Sequence, residues 1–267
     1  MPEPRIRLVT RGDDCGSSRA ANAAVQEAAE RGILRNVGVM APGPAFDEAA
    51  AMLKRLERVS LGLHATITDE WHQSRWGPVL GAAKVPSLVL PDGTFFKDTR
   101  ALWEHQPRPD LGEILAELKA QLERMRAKGL RVDYMDTHMG FDWFPGLKDR
   151  LRALAAAEGL LWQPPDLAGL PDLRGEFADP VERFLARLGA AEPGKTYLYV
   201  THPACDTDAM RALTYGQEKP GAVARQRDWD RRTLTEPRVL EFCREHQVAP
   251  VRFTDVARPA DPAGPAR

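Results

Sequence analysis

Titratable side chains follow four of the short apolar runs in this sequence of 267 residues. The runs are 6–10, 60–64, 131–136 and 196–200, and the side chains at their ends are Asp13, Asp14, His64, Asp136, His138 and His202. If the runs are parallel strands of a barrel, their carboxyl ends meet at one rim, where such folds carry their chemistry. Carboxylate and imidazole together suit Zn²⁺, with other divalent ions possible. The spacing therefore predicts a metal site at that rim.

The adjacent residues Asp13 and Asp14 suggest two different roles, one as a metal ligand and the other as a proton acceptor. One aspartate and two histidines would leave a position open at the ion, which could polarise a carbonyl group and acidify a water molecule. A second carboxylate beside the ligand could then accept a proton. We expect the two side chains to diverge on a turn after the first strand, one towards the ion and the other towards the water.

Structural explanations of the same residues stay open at this point. An Asp-Asp pair after a strand is also typical of a helix N-cap, where it favours the helix dipole. A single histidine at a strand end is more often a hydrogen-bonded structural residue than a ligand. We assign His72, His105 and His246 to that structural class.

Apolar runs that alternate with amphipathic segments predict the elements that position these residues. The predicted strands are 6–10, 37–40, 60–64, 131–136, 196–200 and 248–253. One predicted helix ends at Gly32, and the others cover 45–57, 110–128, 147–158, 181–188 and 234–246. This rhythm is typical of a parallel sheet with outer helices. We therefore expect an α/β, (β/α) barrel-like fold of about seven mostly parallel strands. It forms one catalytic domain, 1–257, followed by a disordered tail rich in Pro and Ala, 258–267.

Two stretches interrupt the rhythm. Residues 204–230 are predicted to be irregular, and residues 65–108 contain several prolines and glycines together with Trp71, Trp76 and Trp103. A connection as long as 65–108 is usually functional. Because it directly follows His64, we expect it to cover the mouth of the site and to shape specificity.

Composition excludes several classes of protein. The 37 basic and 38 acidic residues nearly balance, whereas nucleic-acid binders usually carry a basic excess. No apolar run approaches the ~18 residues of a membrane helix, and the N-terminus lacks a signal-peptide core. The three cysteines are too few and scattered for a disulfide framework. We expect a cytoplasmic enzyme with no nucleic-acid or membrane partner.

Six sequence blocks, in order over about residues 5 to 250, resemble the YdjC-type carbohydrate deacetylases, a family that includes the ChbG chitooligosaccharide deacetylases. They are V-T-R-G-D-D-C-G with Asn22 in the following helix, V-G-V-M-A-P-G-P-A-F, G-L-H-A-T, P-S-L-V-L-P-D-G-T-F, D-T-H-M-G-F-D-W-F-P and T-H-P-A.

The resemblance implies a metal-dependent hydrolase that removes an acetyl group from an N-acetylated sugar. It implies Asp14, His64 and His138 as ligands of one divalent ion, Zn²⁺ or Mg²⁺. It implies Asp13 as the general base and His202 as a residue that orients substrate or protonates the leaving amine. The expected partner is a small carbohydrate, and a homodimer is possible.

The sequence departs from the family pattern near His138. Met139, Gly140 and Asp142 stand where the family has histidines. The metal triad is intact, but the wall of the pocket is changed. Two alternatives therefore stay open: a degenerate sugar- or metal-binding homologue without turnover, and a glycoside or ester hydrolase. The last would need two carboxylates about 5–9.5 Å apart on different loops.

Two nearby residues have competing interpretations, and two others have an expected supporting role. Trp143 could stack on a sugar ring or pack in the core, and Cys15 could be a ligand or, more simply, a small apolar filler. We expect Asp136 to orient a ligating histidine and Arg11 to balance the charge of the aspartate pair.

Overall fold

The sheet is built around one long central strand, β1 (Ile6–Cys15). The computed structural model describes residues 5–162, 167–177 and 179–256, so the tail 258–267 lies outside the described residues. The other strands are β2 (Asn36–Val39), β3 (Ser60–Ala65), β4 (Tyr134–Thr137), β5 (Leu161–Trp162), β6 (Ala168–Gly169), β7 (Thr196–Thr201) and β8 (Val248–Val251). Their order is β5-β4-β3-β2-β1-β7-β6, with β8 also paired to β1, and every pairing is parallel.

Helices surround this sheet. They are α1 (Arg19–Arg31), α2 (Phe46–Leu53), α3 (Thr99–Glu104), α4 (Leu111–Ala127), α5 (Leu147–Ala157), α6 (Pro180–Gly189), α7 (Asp208–Ala212), α8 (Ala222–Thr235), α9 (Pro237–Glu245) and α10 (Phe253–Val256). Three 3₁₀ segments, Ala82–Lys84, Pro86–Leu88 and His138–Trp143, complete the set. The sheet curls into a half-barrel, which confirms the predicted α/β barrel-like fold. Among the described residues, none of the helices has both the length and the apolar character to cross a membrane.

The prediction of an irregular stretch at 204–230 is wrong, because α8 begins at Ala222 and α7 precedes it. Charged residues crowd α8, and its buried apolar positions are few, so the usual apolar stripe is weak. The strands β5 and β6 were also missed. Each has two residues, too few to show the alternation by which a strand is recognised.

Two apolar layers fix the curl of the sheet. The larger lies between the sheet and the helices, and a smaller one lies inside the curl, where Val9, Tyr134 and Phe253 pack together. Because side chains alternate along a strand, Arg11 and Asp13 point to the same inner side as Val9. The interior therefore has an apolar floor with charged residues above it.

Asn36 ties the last strand to the first two. Its Nδ2 donates to the carbonyl oxygens of Thr10 and Val251 at 2.9 and 3.1 Å, and its Oδ1 accepts from the backbone N–H of Phe253 at 2.7 Å. Asn36 is fully buried, so these bonds replace all contact with water. They hold β8 against the first half of β1.

Gly62 permits the close approach of β3 and Tyr134. A Cβ atom at Gly62 would lie 2.2 Å from the Tyr134 ring, which is itself fully buried. We expect Gly62→Ala to lower the free energy of unfolding by at least about 2 kcal/mol, because the ring has no space to move. Urea denaturation measures this.

Gly169→Ala is the matched control, since no atom lies within 4 Å of the added methyl group. It should change the free energy of unfolding by less than about 0.5 kcal/mol. Equal effects of the two substitutions would contradict the packing described for Tyr134.

Candidate metal centre

Asp13 and Asp14 are the antepenultimate and penultimate residues of β1, not residues of a turn after it. The prediction of a turn is therefore wrong, yet the side chains do diverge. Strand alternation sends Asp13 to the inner side, and Asp14 adopts φ 63°, a left-handed conformation that aspartate tolerates better than most residues. The helix-cap explanation also fails, because Ser18 caps α1 by accepting from the N–H of Ala21.

Three buried ligand atoms converge at the end of the sheet. Asp14 Oδ1 lies 3.4 Å from His64 Nε2 and 3.3 Å from His138 Nδ1, and the two ring nitrogens are 3.2 Å apart. Bonds of about 2.0–2.1 Å to a tetrahedral ion place neighbouring ligand atoms about 3.3 Å apart. The three atoms thus have the spacing of one face of a tetrahedral zinc site, and these residues could hold a metal ion.

A carboxylate fixes the outer nitrogen of each ring. His64 Nδ1 lies 3.1 Å from Asp136 Oδ1, and His138 Nε2 lies 2.9 Å from Glu70 Oε2. When the outer N–H bonds a carboxylate, the inner nitrogen of a neutral ring presents its lone pair to a metal. Asp136 therefore occupies the place predicted for it, and Glu70 plays the same part for the second histidine.

The charges of these residues also fit a divalent ion. Four carboxylates, those of Asp13, Asp14, Glu70 and Asp136, are buried with two guanidinium groups, those of Arg11 and Arg227. Two negative charges remain. Both oxygens of Asp14 are buried without a hydrogen bond from the described residues, although Oδ2 is in ion-pair contact with Arg227. Such a cluster favours further positive charge, because uncompensated buried charge is costly.

The histidines respond to the same excess of negative charge. Burial alone would lower the pKa of His64, but the charges of Asp136 and Asp13 outweigh it and raise that pKa well above its usual value. Burial would also lower the pKa of His138, but the carboxylates of Glu70 and Asp14 outweigh this effect and raise that pKa to about 9. Protons on the two rings and a divalent ion are therefore alternative ways to neutralise the cluster.

Arg11 joins two of the carboxylates below the triad. Its Nη2 lies 2.8 Å from Asp13 Oδ2, and its Nη1 lies 2.8 Å from Asp136 Oδ2. Asp13 Oδ1 lies over Gly38, where a Cβ atom would come within 2.4 Å of it, and it accepts no hydrogen bond from the described residues. Asp13 therefore contacts Arg11 through Oδ2, whereas Oδ1 accepts no hydrogen bond from the described residues.

A cavity of about 240 Å³ lies beside the triad. It is lined by Asp14, Glu70, Trp71, His138, Met139, His202, Tyr215, Glu218, Val223, Gln226, Arg227 and Asp230. The backbone N–H of His202 donates to Asp230 Oδ2 at 2.8 Å. The structure thus brings Asp14, His138 and His202 to one cavity, whereas Asp13 is 1% exposed and is not part of the cavity wall.

The stretch 65–108 contributes Glu70 and Trp71 to the cavity wall. Trp76 is buried, and its indole N–H donates to the carbonyl oxygen of Thr68 at 3.0 Å, so it belongs to the core of this stretch. Glu117 of α4 accepts from two N–H groups of the stretch, at residues 79 and 80. Glu70 and Trp71, near the start of the stretch, therefore form part of the cavity wall. The buried Trp76 and the hydrogen bonds to Glu117 hold the residues that follow them.

Two residues with competing interpretations lie away from the cavity wall. Trp143 is 49% exposed and packs edge-on against Trp103 and Phe144. Cys15 is fully buried in the core, and burial raises the pKa of its thiol far above the usual value. A neutral, buried thiol suits the interpretation as an apolar filler.

Sequence reasoning missed Glu70, Arg227 and Asp230. Glu70 lies in the interrupted stretch six residues after His64, and the other two lie in the stretch predicted to be irregular. Nothing in the local sequence marks them, because they meet the triad only through the fold. A recognised helix at 222–235 would have shown Arg227 and Asp230 on one face, three residues apart.

Comparisons with known proteins identify relatives of this chain. A carbohydrate deacetylase of Geobacillus stearothermophilus is 27% identical over 263 residues, which cover 94% of this chain and 98% of that protein. A carbohydrate deacetylase of Listeria welshimeri is 29% identical over 133 residues, so the chain matches about half the length of that relative.

Solved structures share the fold. A crystal structure from Enterococcus faecalis, described as a candidate cellobiose-phosphate cleavage protein, has a TM-score of 0.75 at 22% identity and covers 94% of this chain and 99% of its own. A Streptococcus mutans CE4 esterase has a TM-score of 0.51 at 14% identity, covering 93% and 86%. A family model for YdjC-like proteins matches residues 7–245. This chain therefore belongs to the YdjC-like protein family.

Proposed function

We propose that the protein hydrolyses the acetamido group of an N-acetylated carbohydrate with one divalent ion held by Asp14, His64 and His138. The observation that carries the proposal is the triangle of three buried ligand atoms, 3.2–3.4 Å apart, beside a cavity. Relatives named carbohydrate deacetylases, one of them over nearly the full length of both chains, support the substrate class.

The donor set favours Zn²⁺ over Mg²⁺. Two of the three ligand atoms are imidazole nitrogens, which zinc accepts readily, whereas Mg²⁺ prefers oxygen ligands. The cavity of about 240 Å³ lies below the range of roughly 300–1,000 Å³ typical of drug-sized ligands. We therefore propose a zinc enzyme whose cavity takes a single sugar unit.

The residues of this chain divide the proton transfers between them. When bound, the ion would supply a Lewis acid that polarises the amide carbonyl and acidifies water. Arg11 engages Asp13 Oδ2, so Asp13 Oδ1 is the oxygen that can accept a proton as general base. His202 lines the cavity, from which it can donate a proton to the departing nitrogen.

The first prediction concerns the reaction itself. The purified protein should release acetate from at least one member of a panel of N-acetylated mono- and oligosaccharides. A chelator should abolish the release, and added Zn²⁺ should restore it. Elemental analysis should find about one divalent ion per chain. A protein that binds the ion and the sugar yet releases no acetate would instead be a binding homologue without turnover.

The second prediction separates the two aspartates. Asp14→Ala removes the anionic ligand of the triad, so metal content should fall steeply. Asp13→Asn keeps the shape of the side chain but cannot accept a proton. It should retain the metal and lose on the order of 10²–10⁴-fold in turnover. Metal content and acetate release of each variant provide the measurement.

Ser18→Ala is the control for this pair. Loss of the α1 cap should cost about 1 kcal/mol of stability and leave metal content and turnover unchanged. A fully active Asp13→Asn protein would remove Asp13 from the mechanism, and an Asp14→Ala protein that keeps its metal would remove Asp14 from the site.

A further inference from the structure

Arg227 extends from α8 to the proposed metal triad and lines the same cavity as Asp14. Its side chain is 10% exposed, and its Nη2 lies 2.7 Å from Asp14 Oδ2 and 3.9 Å from Glu70 Oε1. The guanidinium carbon lies 4.8 Å from the centre of the Trp71 ring. Arg227 therefore contacts the carboxylate of a proposed ligand without being one itself.

The contacts close into a ring of four residues. Arg227 contacts Asp14, and Asp14 Oδ1 lies 3.3 Å from His138 Nδ1. His138 Nε2 lies 2.9 Å from Glu70, which in turn contacts Arg227. The ring contains two members of the triad and two residues that contact them from outside. Because all four are buried, each charge depends on its neighbours in the ring.

This arrangement leaves Asp14 one oxygen for a metal. A carboxylate can coordinate through one oxygen or through both. Arg227 engages Oδ2, the Trp71 ring lies against the guanidinium, and Oδ1 is the oxygen that faces His64 and His138. If Asp14 coordinates through one oxygen, the protein supplies three ligand atoms, the number found in catalytic zinc sites that leave a position open.

We propose that Arg227 is a positioning residue that restricts Asp14 to coordination through Oδ1 and so keeps the site open for water and substrate. The proposal rests on the proposed function only in the identity of the triad. Its consequence for metal binding is distinctive. A positive charge 2.7 Å from a ligand carboxylate weakens the attraction of that carboxylate for a cation. Removing Arg227 should therefore tighten metal binding while it slows turnover.

The test uses the full chain, stripped of metal and titrated with Co²⁺, whose visible absorption reports the number of ligands. In Arg227→Met, Asp14 is free to use both oxygens, so the absorption should lose intensity as the coordination number rises. Co²⁺ should bind on the order of tenfold more tightly, and kcat for acetate release should fall on the order of 10–100-fold. Arg227→Lys, which keeps a positive charge near Oδ2, should return the absorption and affinity towards those of the unmodified protein.

Arg231→Met is the matched control. Arg231 also lies on α8 and forms two ion pairs, but its partners are Glu27 and Asp228. This variant should leave the Co²⁺ spectrum, the affinity and kcat unchanged. If Arg227→Met does not fold, Arg227→Leu takes its place, since it has neither a charge nor a hydrogen-bond donor, and must show the same changes.

Two results would overturn the proposal. One is a Co²⁺ spectrum unchanged in the uncharged variant. The other is a loss of Co²⁺ affinity as severe as that of Asp14→Ala, which would mean that Arg227 only holds the site together. Failure of the unmodified protein to release acetate would count against the proposed function alone, because the spectrum requires no substrate.

Discussion

Compensation of buried charge is the constraint on which the candidate site depends. Four carboxylates are buried at the carboxyl end of the sheet, and an unpaired ion in such a place costs several kcal/mol. Arg11 compensates from below and Arg227 from the side. Protons on the two histidines or a divalent ion would neutralise the remaining negative charge. The ligand geometry and the raised pKa values of the histidines both follow from this balance.

The topology delivers each charge from a different part of the chain. β1 carries Arg11 and both aspartates, β3 and β4 supply His64 and Asp136, the 3₁₀ segment after β4 supplies His138, and α8 supplies Arg227. The apolar floor formed by Val9, Tyr134 and Phe253 closes the interior beneath them. Asp14 and His64 thus lie on strands and His138 directly follows one, which suits ligands that must converge within a few tenths of an ångström.

The cavity wall shows how this chain differs from the family pattern. Met139, which the sequence resemblance places where the family has a histidine, adopts a left-handed conformation with φ 54°, and its sulfur accepts from Thr68 Oγ1 at 3.4 Å. An apolar side chain thus joins the segment after His138 to the stretch 65–108. The triad is unaffected, since His138 keeps its contacts with Asp14 and Glu70. The change concerns what the cavity accommodates, not the proposed ligands.

The strand rhythm, the barrel-like class and the candidate residues at the strand ends could be predicted from the sequence, because apolar periodicity and strand-end residue types are local properties. The positions alone indicated six candidates, Asp13, Asp14, His64, Asp136, His138 and His202, and the family resemblance implied Asp14, His64 and His138 as the ligands among them. Among the partners of these residues, Asp136 was expected from the sequence, whereas Glu70 and Arg227 became evident only from the fold. Glu70 and Arg227 meet the triad from 56 and 213 residues beyond Asp14, over distances in sequence that no local pattern spans. The roles of the charges thus depend on the fold, because compensation acts through space between side chains that the chain itself keeps far apart.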